Sequence, residues 1–488
     1  MTPIGSQQMV GLMVDMMRSA LTKYPASNEA EDVYAQATDD NAVHTRTPHR
    51  PPAVGPPLLM YVMAHFPGNT INSWRRQFFG DIAHGIKFFD LFSFVPSYSG
   101  YTCDYVDGDG GAYTNVRRAL NELGTFEDIV QQGTAQAQGA AVAVLASESS
   151  NYWLRNAGTQ GAATRTLYIA LKHGGFPVDF VIEQDCTAGN LKYYSALFVV
   201  AAQVSEVATT AITAWANSGG IVIATAGAFS LNEYNLTSTS AQALLHPVNQ
   251  TALFVGHDNT CSGGVQDHRC RGTRVQLSKQ DLAFVSQIDR VFVSDGSAPE
   301  RSTGVYGEKA MISVVDDNTS TVEGTFGDGS IAVLNITRGK GTVWFAAFHP
   351  GLSYFRTALP DTEPPCKGST DDSYNHWIPT NFDLTAANII WAPLLNIPGA
   401  RPVTTNPSLV EAGIVTSVAV QGTVIPLINW SGDTVETLIV ILHFKLDHAI
   451  TSVTTATGAN VTMATDATGQ VYFTLPLEIA ADAIILRA

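Results

Sequence analysis

The closest cysteine pair in the chain, Cys261 and Cys270, lies in a Gly-containing stretch bracketed by His257 and His268. Three chemistries fit those residue types: a disulfide closing a short loop, a zinc site drawn from all four side chains, or two unconnected thiols. The disulfide leads, because the C-x2-4-C spacing of ordinary zinc modules is missing. The odd total of five cysteines leaves at least one outside any internal pairing. Cys103 to Gly111 is acidic and Gly-rich, with Asp104, Asp107 and Asp109, and looks superficially like a calcium loop. It lacks the alternating carboxylate register and closing Glu of an EF-hand, so it reads as a solvated turn. His65, Trp74, Phe94, Tyr98 and Tyr101 form another group. Their aromatic faces would suit sugar stacking if strands carried them to the rim of a pocket, and core packing otherwise. Asn-x-Ser/Thr sequons fall at Asn235, Asn249, Asn318, Asn335, Asn429 and Asn460, which suggests glycosylation and an extracellular or secretory location. No metal ion and no cofactor is expected.

These groups sit in a chain of 488 residues with 27 basic and 43 acidic side chains, 14% charged and 45% hydrophobic. At roughly 100–200 residues per domain the length predicts two to four domains. The charge content is low and is replaced by Ala, Thr, Gly and Val, which excludes wholesale disorder. A net charge of −16 argues against a nucleic-acid partner, which needs a basic face, and against polybasic attachment to lipid. The longest apolar runs, around Ala196–Ala202 and Leu438–Leu442, are strand-sized, so no membrane insertion is expected. Met1 to Leu21 lacks the basic start and apolar block of a secretory signal. Met9, Leu12, Met13, Met16 and Met17 instead recur at helical spacing and predict one apolar helix face.

Residues 26–57 are polar and Pro-rich, a long connection. Beyond them Leu58–Ala64 and Ile86–Val95 predict strands, and Trp74–His84 and Asn115–Gln131 helices: the parallel α/β rhythm, with only two strands. The rhythm restarts with strands at Ala141–Ala146, Val178–Glu183, Ala196–Ala202 and Gly220–Ala226 and helices at Thr164–His173 and Val207–Asn217. That predicts a doubly wound, flavodoxin-like sheet whose crevice lies beyond the strand C-termini. Residues 250–350 turn β-rich, with strands at Val291–Val293, Ala310–Val315 and Gly341–Phe348, and a helix at Leu384–Leu395 follows. Trp344 reads as a buried aromatic and His349 as an ordinary surface histidine. Residues 408–488 alternate short strands with turns, a small antiparallel β-sandwich.

The run from Tyr61 through His65, Pro67 and Gly68, then Asn72 and Trp74, Ala83 to Gly85, and Phe88 to Phe94 resembles the last two strands of a glycosidase (β/α)8 barrel. It is most similar to the β-galactosidases of glycoside hydrolase family 42. The similarity continues at Val142–Leu145, Val178–Val181, Gly219–Thr225, Phe326–Ser330, Gly339–Phe345 and Pro350–Gly351. It implies an α/β protein in three parts. Residues 1–135 would be an incomplete (β/α) barrel segment, 136–400 an amidotransferase-like doubly wound domain that mediates trimerisation, with a β-rich insertion, and 401–488 the sandwich. The six preceding barrel strands are missing, so the resemblance implies the C-terminal part of a larger protein, an oligomer or a chain whose barrel is completed by a further polypeptide or by a removed or separately numbered N-terminal segment. The position of the family's nucleophilic Glu is Ala64, followed by His65, and no Glu occurs between Leu58 and Trp74. Retaining hydrolysis needs two carboxyl groups about 5 Å apart, so this chain alone is not expected to be a competent hydrolase. Binding of carbohydrate, with His65, Trp74, Phe94, Tyr98 and Tyr101 at the barrel mouth, is the expected association. An active hydrolase completed by an N-terminal part and a purely structural component of an extracellular assembly are the alternatives. Amidotransferase chemistry is not expected, because the turn Thr225–Ser230 holds no Cys and Cys186 falls in another loop.

Overall fold

The computed structural model describes residues 6–21, 57–63, 70–92, 111–135, 139–154, 159–255, 287–293, 301–314, 319–359, 378–446, 448–478 and 480–488. The first part comprises α1 (Ser6–Leu21), β1 (Leu58–Met63), α2 (Ile71–His84), β2 (Ile86–Phe92), α3 (Gly111–Leu123), α4 (Glu127–Gln132) and β3 (Thr134–Ala135). β1 and β2 pair in parallel, with Leu59 opposite Phe88 and Tyr61 opposite Asp90. Neither outer edge of this pair carries another strand among the described residues, and no closed barrel occurs among them. α2 begins at Thr70, whose hydroxyl accepts the Ser73 N–H, and stops at Gly85, which adopts a left-handed φ of 107°. The single helix expected over Asn115–Gln131 is two. Gly124 donates back to the Leu120 carbonyl and ends α3, and a new turn starts at Phe126.

α1 lies the opposite way round from its apolar pattern. Met13, Met16 and Met17 are 50%, 41% and 48% exposed, while Leu12, Val14, Asp15, Arg18 and Ser19 face inward. The polar side wins because it finds partners at the edge of a sheet formed much later in the chain. Ser19 Oγ accepts the Phe180 N–H at 2.9 Å, and the Arg18 guanidinium donates to the Val178 carbonyl at 3.1 Å. An edge strand whose backbone groups are met in this way no longer offers a template for another chain.

That sheet belongs to the middle of the chain. It is built from β4 (Val142–Leu145), α5 (Glu148–Leu154), α6 (Thr159–His173), β5 (Val178–Val181), α7 (Glu183–Thr187), β6 (Ala196–Val199), α8 (Glu206–Asn217) and β7 (Ile221–Ala224). There follow α9 (Ala241–Leu245), β8 (Val248–Val255), β9 (Asp289–Val293), β10 (Ser302–Val305), β11 (Glu308–Val314), β12 (Ser320–Phe326), β13 (Ile331–Arg338), β14 (Gly341–Ala346), α10 (Pro350–Arg356) and α11 (Leu384–Trp391). Nine strands form one sheet in the order β10-β9-β12-β13-β14-β7-β6-β4-β5. The five from β14 to β5 are parallel, and the others extend the sheet antiparallel. β4, β5 and β6 are buried at every residue, as parallel strands covered on both faces must be, which is why they read as unbroken apolar runs. β8 and β11 make a separate antiparallel pair.

The C-terminal part contains β15 (Val403–Asn406), β16 (Val410–Ala412), β17 (Val415–Ser417), β18 (Gly422–Asn429), β19 (Val435–Leu442), β20 (Ser452–Thr455), β21 (Thr462–Thr465), β22 (Val471–Leu477) and β23 (Ala481–Arg487). One sheet runs β15-β19-β22-β21; the other runs β20-β23-β18-β17-β3, with β16 also on β18. β19 alternates between buried and exposed residues, whereas β18 is buried throughout. The reason is a third layer. Trp74, Phe78, Phe79 and Ile82 of α2, with Phe126 and Ile129, pack on Val424, Ile428, Ala483 and Ile485. The opposite faces of the same strands meet the β19–β22 sheet. Among the described residues no helix is long and apolar enough to cross a membrane.

Candidate functional site

In chain order the parallel strands β4, β5, β6, β7 and β14 stand 2-1-3-4-5 across the sheet. The order reverses between β4 and β6. In open α/β sheets, ligands bind outside the carboxyl ends of the strands at such a point. The structure has a cavity there of about 320 Å³, lined by Leu145, Ser147 and Ala201 at the strand ends, Phe180 on β5, Arg165 on α6, and Met13 and Met16 of α1, among others. Its floor is held by Glu183. This carboxylate accepts the Ser149 N–H at 3.0 Å and the Ser205 N–H at 2.9 Å, with Ser147 Oγ at 2.9 Å and Ser149 Oγ at 3.1 Å. Burial would raise the Glu183 carboxyl, but these donors outweigh it and hold it below the usual range. Glu183 therefore ties three loops together as an anion and is not poised as a proton acceptor. Burial lowers the Arg165 guanidinium from its ordinary value.

A second constellation follows β7. His349 Nδ1 lies 3.1 Å from Thr225 Oγ1, and its Nε2 lies 3.0 Å from Glu308 Oε2. Hydroxyl, imidazole and carboxylate in that sequence is the arrangement of an activated nucleophile. Here the group is sealed: Thr225 is 2% exposed and His349 0%. His349 is thus a core residue and not the surface histidine expected from the sequence. It links β7, β11 and the start of α10, and the turn from Thr225 contains no thiol.

The largest charged cluster joins all three parts of the chain. Arg18 of α1 donates to Asp179 Oδ1 at 2.8 Å and to Asp15 Oδ1 at 3.1 Å. His84, the last residue of α2, sits between two carboxylates, Nδ1 3.1 Å from Asp15 Oδ1 and Nε2 3.0 Å from Glu411 Oε1. Lys172 of α6 lies 3.4 Å from Glu411. Tyr168 donates to Asp15 at 2.7 Å, Tyr194 to Asp179 at 3.1 Å and Trp430 to Glu411 at 3.0 Å. Carboxylates lie beside both imidazole nitrogens, which favours the doubly protonated, charged ring. Burial opposes that charge, yet Asp15 and Glu411 outweigh it and raise His84 to about 9. With His84 charged, Arg18, Lys172 and His84 balance Asp15, Asp179 and Glu411. Gly11 makes room for the ring: a Cβ there would stand 2.5 Å from His84 Nε2.

Asp81, one helical turn before His84, is different. Burial pushes its carboxyl up to about 7, and the Gln77 amide, donating at 2.7 Å, offsets this only in part. The unfolded chain ionises this group near pH 4 and the folded chain resists, so Asp81 lowers stability progressively from pH 4 to 7. Asp81→Asn keeps the acceptor for Gln77 and removes the titration. We expect it to raise the thermal midpoint at pH 8 and leave it unchanged at pH 4, as read by melts of both proteins.

Of the aromatic residues expected at a barrel mouth, Trp74 is fully buried, its ring centroid 5.4 Å from that of Phe78. It serves the interface of α2 with the sandwich and does not present a face to a ligand. His65, Phe94, Tyr98 and Tyr101 lie outside the described residues, as do Ala64, Cys103, His257, Cys261, His268, Cys270, Asn318 and Cys366. The β1–β2 pair instead turns Leu59, Tyr61 and Phe88 outward, at 52%, 48% and 48% exposure. Asn235, Asn249 and Asn460 are exposed and Asn335 is half-buried. Asn429 is buried, donating to the Asp433 carbonyl at 2.7 Å and accepting the Ser431 N–H at 2.9 Å, an environment without room for a glycan. Cys186 is a buried thiol pushed up to about 12, first by burial and then by Asp185 and Glu183. The cavity lies where the sequence places the crevice of a doubly wound sheet, beyond the strand C-termini, but its closure by α1 and the buried charge cluster were not recognisable in the sequence. The one available sign was a pair of charges, Asp15 and Arg18, three residues apart in a Met-rich helix.

No family model matches the chain, and no curated protein matches it. Solved structures do. A catalytic mutant of a GH42 β-galactosidase from G. stearothermophilus superposes with a TM-score of 0.60 at 14% identity, covering 99% of this chain and 57% of that one. The β-galactosidase from Rahnella sp. R3 gives 0.58 at 15% identity, covering 89% and 55%. α-L-Fucosidase isoenzyme 2 from Paenibacillus thiaminolyticus gives 0.52 at 14% identity, covering 86% and 57%. The chain therefore has a GH42-like partial fold, spanning little more than half the length of the structures it matches.

Proposed function

We propose that this chain is a glycosidase-like, carbohydrate-associated protein that is not a competent hydrolase alone and works as a structural or binding part of a larger assembly. The observation that supports this reading most is the β1–β2 pair. In a fold similar to GH42 β-galactosidases over 99% of the chain, its two parallel strands have no neighbouring strand on either edge among the described residues and turn Leu59, Tyr61 and Phe88 outward. Parallel strands ordinarily have both faces covered, so a further polypeptide, or an N-terminal part of the same protein outside this sequence, would supply further strands and cover this face. His65, Phe94, Tyr98 and Tyr101, just past β1 and β2, would then stand at the end where such folds build their pockets. With Ala64 at the nucleophile position, the retained property would be sugar recognition. The exposed sequons at Asn235, Asn249 and Asn460 suit an extracellular setting.

The purified chain is expected to show no turnover of aryl β-galactosides and to bind galactosides only when its completing partner is present. Turnover by the chain itself, abolished when one of its carboxylates is replaced, would overturn this reading. It would favour the alternative suggested by the enzymes it resembles in fold: an active β-galactosidase-like hydrolase completed by an N-terminal part. An assembly with no galactoside binding would leave a purely structural role.

A further inference from the structure

We propose that the cavity at the carboxyl ends of β4 and β6 binds a small neutral molecule with an aromatic body and one carbonyl acceptor. The site lies on the nine-stranded sheet and is independent of the barrel-like strands. Its shape, its polar groups and its charge each limit the guest.

Shape comes from the sheet and from α1. The chain leaves β4 and β6 in opposite directions, which opens a crevice at their carboxyl ends. The volume of about 320 Å³ lies at the lower end of small-molecule sites, which run from roughly 300 to 1,000 Å³. Leu145, Phe180, Leu12, Met13 and Met16 supply an apolar wall. Methionine sulfur packs favourably against aromatic rings, and Met13 and Met16 are unbranched and half-exposed, so they can settle on a flat guest.

The polar groups set what the guest must carry. Gln160, in the first turn of α6, and Asn151, on α5, share the lining. Gln160 Oε1 accepts the Ala202 N–H at 3.2 Å, which fixes the amide and leaves its Nε2 hydrogens without a partner among the described residues. The Asn151 side chain has no partner among them either. The hydroxyls of the lining are engaged: Ser147 Oγ lies 2.6 Å and Ser150 Oγ 3.1 Å from the Gln203 carbonyl, and Thr164 donates to the Gln160 carbonyl at 2.9 Å. The unused groups are therefore amides, and at Gln160 they are donors only. A guest that covered this amide without offering an acceptor would strand a donor and lose affinity.

Charge excludes the anionic version of the same guest. The Glu183 carboxylate stands behind Ser147, 2.9 Å from its hydroxyl, and is held as an anion by its donors. Arg165, also on the lining, is already engaged within the protein, and the chain carries a net charge of −16. A carboxylate would meet an anionic floor in an acidic protein, whereas a ketone or amide carbonyl accepts from Gln160 without that repulsion.

The test uses the full chain and three probes of one shape: acetophenone, α-methylstyrene, in which a methylene replaces the carbonyl oxygen, and benzoate. The ε-methyl resonances of Met13 and Met16 should move to saturation on addition of acetophenone, with α-methylstyrene and benzoate each about tenfold weaker. Gln160→Glu keeps the acceptor for Ala202 and removes the Nε2 donors, and should lower acetophenone to the affinity of α-methylstyrene. Ala146→Leu and Thr164→Leu, which fill the cavity from two different elements, should each abolish the shifts while melting like the parent. Four results would each overturn the proposal: no saturable shift with acetophenone, α-methylstyrene or benzoate binding as tightly as acetophenone in the unaltered chain, a ketone preference that survives Gln160→Glu, or binding that survives both filling substitutions. The comparison of the three probes needs no variant, so it stands even if a substitution fails to fold.

Discussion

Arg18→Met is expected to lower folding stability by about 3–5 kcal/mol, the usual loss when one partner of a buried ion pair is removed. The arithmetic of the site is unforgiving. Arg18 serves Asp179, Asp15 and the Val178 carbonyl at once. Without it Asp179 loses its guanidinium partner while keeping the Tyr194 hydroxyl, and the cluster holds three carboxylates against two cations. Burial by itself would depress the Arg18 guanidinium, and Asp179 and Asp15 more than reverse this, raising it above its ordinary value. The direction says that the folded chain needs the charge. Denaturant unfolding at pH 7 measures the loss. Adding Asp179→Leu to Arg18→Met should restore part of it, because the stranded carboxylate leaves with its partner. A loss below about 1 kcal/mol, the scale of a surface pair, would show that water reaches the cluster.

The second large effect belongs to His84 and depends on pH. Its folded value of about 9 lies above the 6.5 of an unfolded histidine. The imidazolium therefore contributes fully below pH 6.5, and its contribution is lost as pH rises through 9. Full loss is worth about 3 kcal/mol. His84→Gln should cost that much at pH 6, and the two proteins should converge at pH 10. Stability curves from pH 5 to 10 check this; a difference independent of pH would mean that the ring is neutral and merely packs. Asp15 and Glu411, both held well below the carboxylate range by the surrounding cations against the opposing effect of burial, keep their stabilisation until strong acid. Asp81 titrates near 7 and pulls in the same direction as His84. Buried His173, lowered by burial to about 4, opposes them, because its stabilisation is lost as pH falls from 6.5 through 4.

What the residues reveal in advance depends on how local the cause is. β4, β5 and β6 are legible because burial on both faces demands unbroken apolar runs, and the end of α2 is legible at His84, whereas its start, expected at Trp74, lies at Ile71 behind the Thr70 cap. β12 is not: its sequence, Ser320 to Phe326, is rich in Ser, Thr, Glu and Gly and half-exposed, and it becomes a strand through its neighbours β9 and β13. α5 and α7, both short, owe their existence to loops bound by Glu183. The orientation of α1 reverses the expectation for the same reason. Methionines count as apolar in any pattern, but the partners of Asp15 and Arg18 lie on other elements. The partial GH42-like fold could be read because it rests on ordered short motifs, and so could the place of the crevice beyond the strand C-termini; its wall from α1 could not, since that helix comes from outside the sheet.

The docking of α1 also has a cost in time. Arg18 is made 161 residues before Asp179, which at ~5–20 residues per second separates the two by roughly 8–30 s of synthesis. Glu411, which completes the charge balance around His84, comes later still. Throughout that interval Arg18 has Asp15 of its own helix but neither Asp179 nor the β5 edge, while the methionines are available to any apolar surface nearby. α1 is therefore made early and docked late.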